Sequence, residues 1–281
     1  MLLCVDVGNT EIAFGIYADG DEDEARPPLV RDWRMHTESR MTADELEVAF
    51  GGLLGRRYVQ EITGVAALST VPSLLRELKL LVERRDEPFV VVGPGVRTGV
   101  PLLVDNPREV GADRVVNTLA AHRLYDTACV VVDFGTSTNI DVVSAKGEFL
   151  GGVLAPGVEI SMEALATRAA ALRTVELVAP RSVIGKNTVE CLQAGVLFGF
   201  AEQVDGLVRR ILAELGPGPV TVIGTGGLAA LMVGECATIT EHVPDLTLLG
   251  LRLAYLRNVR TTSVTMGNVN APGDVSGRAA R

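Results

Sequence analysis

Aromatic residues are scarce in this chain of 281 residues, at 4% of the total, so any core must be built from aliphatic side chains. Histidine is scarcer still. Only His36, His122 and His242 occur, and none is spaced from a cysteine as a structural zinc site requires. The four cysteines, Cys4, Cys129, Cys191 and Cys236, lie far apart without a Cys-X-X-Cys pair. That argues against a disulfide framework and for reduced thiols in a cytoplasmic protein. No stretch approaches the roughly 18 uncharged apolar residues of a transmembrane helix, so no membrane partner is expected. The N-terminus has no basic leader, and its short apolar run meets Asp6 at once, which reads as a strand rather than a signal peptide. Positive charge is also short. The formal net charge of −9 argues against a nucleic-acid partner, which needs a basic footprint to release counterions. A small anionic ligand is not excluded, because clustered N–H groups bind phosphate against a negative background.

What the chain does have is a 47% hydrophobic content, enough for one large domain or two smaller ones, and a duplicated turn. Val5-Asp6-Val7-Gly8-Asn9-Thr10 and Val132-Asp133-Phe134-Gly135-Thr136-Ser137-Thr138 align without a gap at an offset of 127. The same offset pairs Ala18 with Ala145 and Gly20 with Gly147. An apolar run enters each copy and a β-like run leaves it, Ile12 to Tyr17 in the first and Ile140 to Val143 in the second. Either turn alone reads equally well as an ordinary polar β-turn. Two in register predict two lobes facing each other across a nucleotide.

Around these turns the pattern predicts a strand over 29–36, and a helix from the Thr42-Ala43-Asp44-Glu45 capping box to about Leu54. A strand over 62–69, a helix opened by Pro72 and a strand over 89–92 follow. A helix is then expected from Asn106-Pro107 to about Tyr125. In the second half a strand from Phe149 precedes helices over 159–172 and 187–215. A strand over 220–223, a helix opened by Gly226-Gly227 and a last helix over 246–258 complete the reading. The fold class is α/β, a duplicated domain with mixed β-sheets flanked by helices. The expected division is an N-terminal lobe over 1–118, a C-terminal lobe over 119–258 and a disordered tail over 259–281.

Gly8 lets the backbone approach a ligand closely, and Asn9, Thr10 and the following N–H groups can donate to phosphate. Asp6 would repel phosphate and so would act through a metal ion or water. Thr136, Ser137 and Thr138 offer the same donors from the other lobe. Gly226-Gly227 would let an adenine or ribose pack on the backbone. Gly111-Ala112-Asp113-Arg114 admits two readings. In one, the charges are helix-surface groups paired with Glu109. In the other, Arg114 forks a substrate carboxylate and Asp113 accepts the proton of an attacking hydroxyl.

Together these motifs resemble the type III pantothenate kinases, of the actin and sugar-kinase superfamily, over about residues 1 to 258. The resemblance is carried by Asp6–Thr10, Asn106–Arg114, Asp133–Thr136, Gly151–Gly157, Gly185-Lys186-Asn187-Thr188 and Thr225-Gly226-Gly227. It implies two ribonuclease H-like lobes. It implies that the first loop, Asp6, Val7, Gly8, Asn9, Thr10, Glu11, Ile12 and Ala13, binds ATP phosphates with Thr136 from the second lobe. Gly111, Ala112, Asp113, Arg114 and Thr188 would bind pantothenate, with Asp113 as the proton acceptor. Asp133 would hold a monovalent cation, potassium or ammonium, and magnesium would accompany ATP. The reaction implied is ATP-dependent phosphorylation of pantothenate to 4′-phosphopantothenate, the first step toward coenzyme A, by a homodimer. The competing readings are a kinase of another small hydroxyl substrate, or a non-catalytic regulator on the same fold. Three departures from the family's pattern stand out. Ser137 and Asn139 replace an alanine and a threonine, Glu11 stands where an asparagine or histidine is usual, and Val104 stands where many members have tyrosine.

Overall fold

The structure, a computed structural model, describes residues 1–20, 24, 26–169 and 174–267. The acidic loop expected near residues 19–28 and the tail beyond 267 lie partly or wholly outside these residues.

Buried β-branched runs build two five-stranded sheets. The first takes β1 (Leu2–Val7), β2 (Glu11–Tyr17), β3 (Leu29–His36), β4 (Gly64–Ser69) and β5 (Phe89–Val91) in the order β3-β2-β1-β4-β5. The second takes β6 (Ala128–Phe134), β7 (Ser137–Val143), β8 (Phe149–Pro156), β9 (Val220–Thr225) and β10 (Glu241–His242) in the order β8-β7-β6-β9-β10. In both, the first three strands form an antiparallel meander and the last two run parallel to the first. The duplication seen in the motifs therefore extends to the whole lobe. β10 is too short to have a sequence signature.

The internal repeat needs one correction. In the first hairpin Asp6 lies opposite Ala13, whereas in the second Asp133 lies opposite Asn139. The second turn is one residue tighter. Gly8 N–H donates to the Glu11 carbonyl at 3.0 Å, and Gly135 N–H to the Ser137 carbonyl at 3.1 Å. The ungapped alignment therefore holds into the turn and fails beyond it. Because side chains alternate across a strand, that one-residue slip exchanges the two faces. Asn139, rather than Ile140, takes the place of Ala13.

Helices fill three layers around the sheets. α1 (Ala43–Glu61) and α2 (Pro72–Glu83) cover the outer face of the first sheet, where Phe14, Leu46, Phe50, Leu74 and Leu78 interlock. The Thr42 capping box opens α1 as expected, and the helix continues past Leu54 through a kink at Gly55, whose φ is 72°. α5 (Thr188–Leu215) and the single turn α6 (Ala229–Met232) pack with α4 (Val158–Arg168) on the outer side of the second sheet. α3 (Ala112–Leu124) and α7 (Leu246–Gly267) lie between the sheets, and their shared core holds Leu2, Cys4 and Ala66 from one sheet with Cys129, Val131 and Ile223 from the other.

Four expectations shift. The helix foreseen from Asn106 begins instead at Ala112, after a lone 3₁₀ turn at Pro107–Glu109, because Val110 and Gly111 take extended backbone conformations. Asn106 makes no backbone cap. Its side chain donates to Glu109 at 2.6 Å, so Glu109 is not the partner of Arg114. Gly226-Gly227 opens one turn only, with Leu228 at its N-cap. The last helix runs to Gly267, since nothing between Val259 and Met266 interrupts it. Residue 118, where the lobes were expected to divide, falls inside α3. Cys4, Cys129 and Cys236 are buried free thiols, while Cys191 is exposed.

Candidate active site

The two Asp-X-Gly turns end the first strand of each sheet and meet across a cleft of about 410 Å³. Crevices at the carboxyl ends of strands are where open α/β sheets bind ligands. The Thr10 and Thr136 hydroxyls share a hydrogen bond of 2.8 Å, so the loops touch at the tips of their turns. The first loop is pinned from behind. Thr37 donates its hydroxyl to the Gly8 carbonyl at 2.7 Å and its N–H to the Thr10 carbonyl at 2.9 Å. Thr70 N–H donates to the Val7 carbonyl at 3.0 Å. Neither threonine has a local sequence signal, because both approach the loop from distant strands.

Three carboxylates converge in the cleft. Asp6 ends β1, Asp133 ends β6, and Asp113 sits in the first turn of α3, where the helix N-terminus favours its charge. Loss of water pushes the Asp6 carboxyl up to about 8, and the negative charges of Asp113 and Asp133 push the same way. Asp133 is pushed up to about 7, first by desolvation and then by Asp113 and Asp141, while the Asn117 amide, donating at 3.3 Å, pulls it down. Asn117 is itself held by the Thr247 hydroxyl on α7 at 2.9 Å. Asp113 is raised by desolvation and moderated by backbone N–H groups and by Arg114. Raised carboxyl pKa values in one cleft mark carboxylates taken out of water, with like charges adding to the shift at Asp6 and Asp133.

That charge deficit fits a cation. The donors are hard oxygens, which suit magnesium or an alkali ion. Among the described residues no three His, Cys, Asp or Glu side chains are grouped closely enough to hold a metal by themselves. Any cation there would therefore share its ligands with substrate or water.

The glycine loop of the second lobe completes the cleft. Gly226 has φ of 94°, and a Cβ there would collide with Asp133 Oδ1 and lie 2.7 Å from the Phe134 nitrogen. Only glycine allows this loop to lie against Asp133. Ser137 donates its hydroxyl to Asn139 Oδ1 at 2.8 Å, so the two departures from the usual second loop bind each other in the cleft.

Of the residues singled out from sequence, Asp6, Gly8, Asn9, Thr10, Glu11, Ala13, Asp113, Asp133 and Thr136 line this cleft. Val7 and Ile12 are fully buried in the core beneath the loop. Gly111, Ala112, Arg114 and Thr188 lie outside the lining. Arg114 reaches the other way. Its Nε donates to Asp141 Oδ1 at 2.7 Å, its Nη2 lies 2.5 Å from the same oxygen, and its guanidinium stacks 5.1 Å from the Phe149 ring centre. Thr188 opens α5 beside the Asn187 cap, whose side chain accepts from Glu190 N–H. Arg34, Asn117, Asp141 and Glu159, with the bracing Thr37 and Thr70, are among the charged or polar participants that sequence reasoning missed.

The sequence profile of the type III pantothenate kinases matches residues 2–210. A type III pantothenate kinase from Saccharopolyspora erythraea is 72% identical over 263 residues, covering 92% of this chain and 99% of that protein. One from Rhodococcus jostii is 62% identical over 263 residues, covering 92% and 96%. Among solved structures, the activator of 2-hydroxyisocaproyl-CoA dehydratase from Clostridium difficile, with bound ADPNP, superposes at a TM-score of 0.53 and 15% identity, over 99% of each chain. A ROK hexokinase from Thermus thermophilus does so at 0.50 and 16%, over 92% and 99%. These last two likenesses establish the fold alone.

Proposed function

The chain belongs to the type III pantothenate kinase family, and we propose that it uses ATP to phosphorylate the primary hydroxyl of pantothenate with Asp113 as the proton acceptor. The observation that carries the residue assignment is the meeting of Asp113 with both Asp-X-Gly turns in one cleft. Phosphoryl transfer passes through a loose transition state, so positioning and charge neutralisation do most of the work. The N–H groups of Asn9 and Thr10 and the hydroxyls of Thr10 and Thr136 hold the phosphates, while Gly8 lets the backbone approach them closely. Asp113 orients the hydroxyl and takes its proton as the oxygen bonds to the γ-phosphorus and ADP departs. Desolvation raises its pKa above the ordinary carboxylate value, which strengthens it as a base. Asp6 and Asp133 would hold cations, magnesium with the nucleotide and a monovalent ion respectively, which would offset charge on the phosphates.

Asp113→Asn keeps the shape and removes the base. The expected outcome is unchanged ATP-analogue binding with turnover lowered at least about 100-fold. Near-normal turnover would remove Asp113 from the role. The overall reaction is tested by ADP release with and without pantothenate, at varied potassium and ammonium. Release that does not depend on pantothenate under any of these salts would favour a regulator or another substrate.

We also read the protein as a cytoplasmic homodimer. Buried free thiols support the compartment, and no described helix is long and apolar enough to cross a membrane. Cell fractionation checks the compartment. The dimer is supported by exposed apolar side chains on β8, α4 and the segment before α5, among them Leu154, Ile160, Val183 and Ile184.

A further inference from the structure

The cleft that is to take a nucleoside triphosphate is lined by five carboxylates: Asp6, Glu11, Asp113, Asp133 and Glu159. Among the described lining residues, Arg34 is the only lysine or arginine. The carboxylates already oppose one another, and Arg34 is the cationic side chain that relieves Asp6. A triphosphate adds roughly four negative charges, of which one magnesium ion offsets two. Backbone N–H groups contribute only partial charges. A fixed cation is needed at the phosphates, and one side chain can supply it.

Its geometry suits exchange. Arg34 lies on β3 opposite Ala13 of β2, and both residues line the cleft. Nη1 donates to Glu11 Oε2 at 2.7 Å. Both side chains are 38% exposed, so the pair is solvent-screened and weakly held. The pair also faces the second lobe. A Cβ at Gly227 would lie 3.6 Å from Glu11 Oε2 and 3.9 Å from Arg34 Nη1. The ion pair therefore stands where the nucleotide must pass between the first loop and the glycine turn. A phosphate chain offers more charge and a better fork partner than one carboxylate oxygen.

We propose that Arg34 binds the phosphate chain of the nucleotide, leaving Glu11 for a phosphate oxygen when ATP enters, and that Glu11 both parks Arg34 and competes for it. The proposal rests on the reading of this cleft as the ATP site and adds a residue to it. It gives the glutamate at position 11, a departure from the family's usual residue, a function: it sets how much nucleotide is needed to release the arginine.

The test is equilibrium binding of a fluorescent ATP analogue with magnesium to the full chain, followed by steady-state kinetics. R34A is expected to weaken binding at least about 10-fold and R34K less. The KM for ATP should rise while the KM for pantothenate stays unchanged. E11Q is expected to tighten binding, and that gain should shrink in the E11Q/R34A double variant, because the competition needs both partners. Circular dichroism checks that each variant folds, and if R34A does not, E11Q decides alone. Equal binding by R34A and wild type overturns the proposal, as does weakening by E11Q, which would make the pair a structural pin of the β2–β3 hairpin. Failure of the wild-type chain to bind the analogue at all would remove the ATP reading itself, and the proposal with it.

Discussion

Arg114 shows how a single residue's role depends on what folds against it. From sequence it was free to fork a substrate carboxylate. In the structure two of its donors already engage Asp141, which is buried with its Oδ2 unpartnered. Burial pushes the Asp141 carboxyl up to about 6, and the guanidinium opposes that shift. The pair thus holds Arg114 in one orientation beside Asp113, and any substrate contact must use its remaining donors. Removing one partner of such a pair leaves a charge in a poor solvent. Asp141→Ala is expected to destabilise the protein by about 3–5 kcal/mol, read as a lower midpoint in urea. Asp141→Asn, which keeps an acceptor, should cost less. Equal stability of Asp141→Ala and wild type would show that Arg114 is solvated rather than held.

At the scale of elements, the turns matter more than the helices and strands they join. Hairpin, capping-box and strand positions were legible because alternation and cap chemistry are local. The break between the Pro107 turn and α3 was not, since it depends on Val110 and Gly111 taking extended backbone and on Asp113 lying against the Gly111 Cα. That break puts Asp113 at a helix N-terminus instead of mid-helix. The glycine loop after β9 is tightly constrained. Gly226→Ala forces a Cβ at φ of 94° into Asp133 Oδ1, so the loop must move off the carboxylate. The expected result is at least about a 10-fold loss of nucleotide binding with the circular dichroism spectrum unchanged, because the strain falls on a local turn. Undiminished binding would mean that this loop does not contact the nucleotide.

Across the whole molecule, the cleft exists because α3 and α7 sit between the sheets and bind both into one core. Gly250 makes this possible. It lies so close to the Val116 carbonyl that a side chain there would collide with it. The two sheets therefore hold their first strands, and so their Asp-X-Gly turns, at a set separation. Outside this core, Leu154 at 64%, Val183 at 69% and Ile184 at 72% exposure leave apolar surface on the second lobe. If that surface joins two copies, sedimentation velocity should give twice the monomer mass of 29.8 kDa. Ile184→Asp together with Leu154→Asp should return the protein to a monomer without loss of helix content. A wild-type monomer at micromolar concentration would refute the dimer.

The sequence by itself determined the duplicated hairpin, the presence of two Asp-X-Gly turns, the aliphatic core and the family, because each rests on residues adjacent in the chain. Only the tertiary structure decided that the second turn is one residue shorter, which puts Asn139 and not Ile140 in the cleft. It also decided that Thr37 and Thr70 brace the first loop, and that Arg34 rather than Arg114 is the cation lining the cleft. The physical reason is the same in each case. Strand register, helix docking and the field of neighbouring charges are set by groups tens or hundreds of residues away, and no local pattern records which of them will meet.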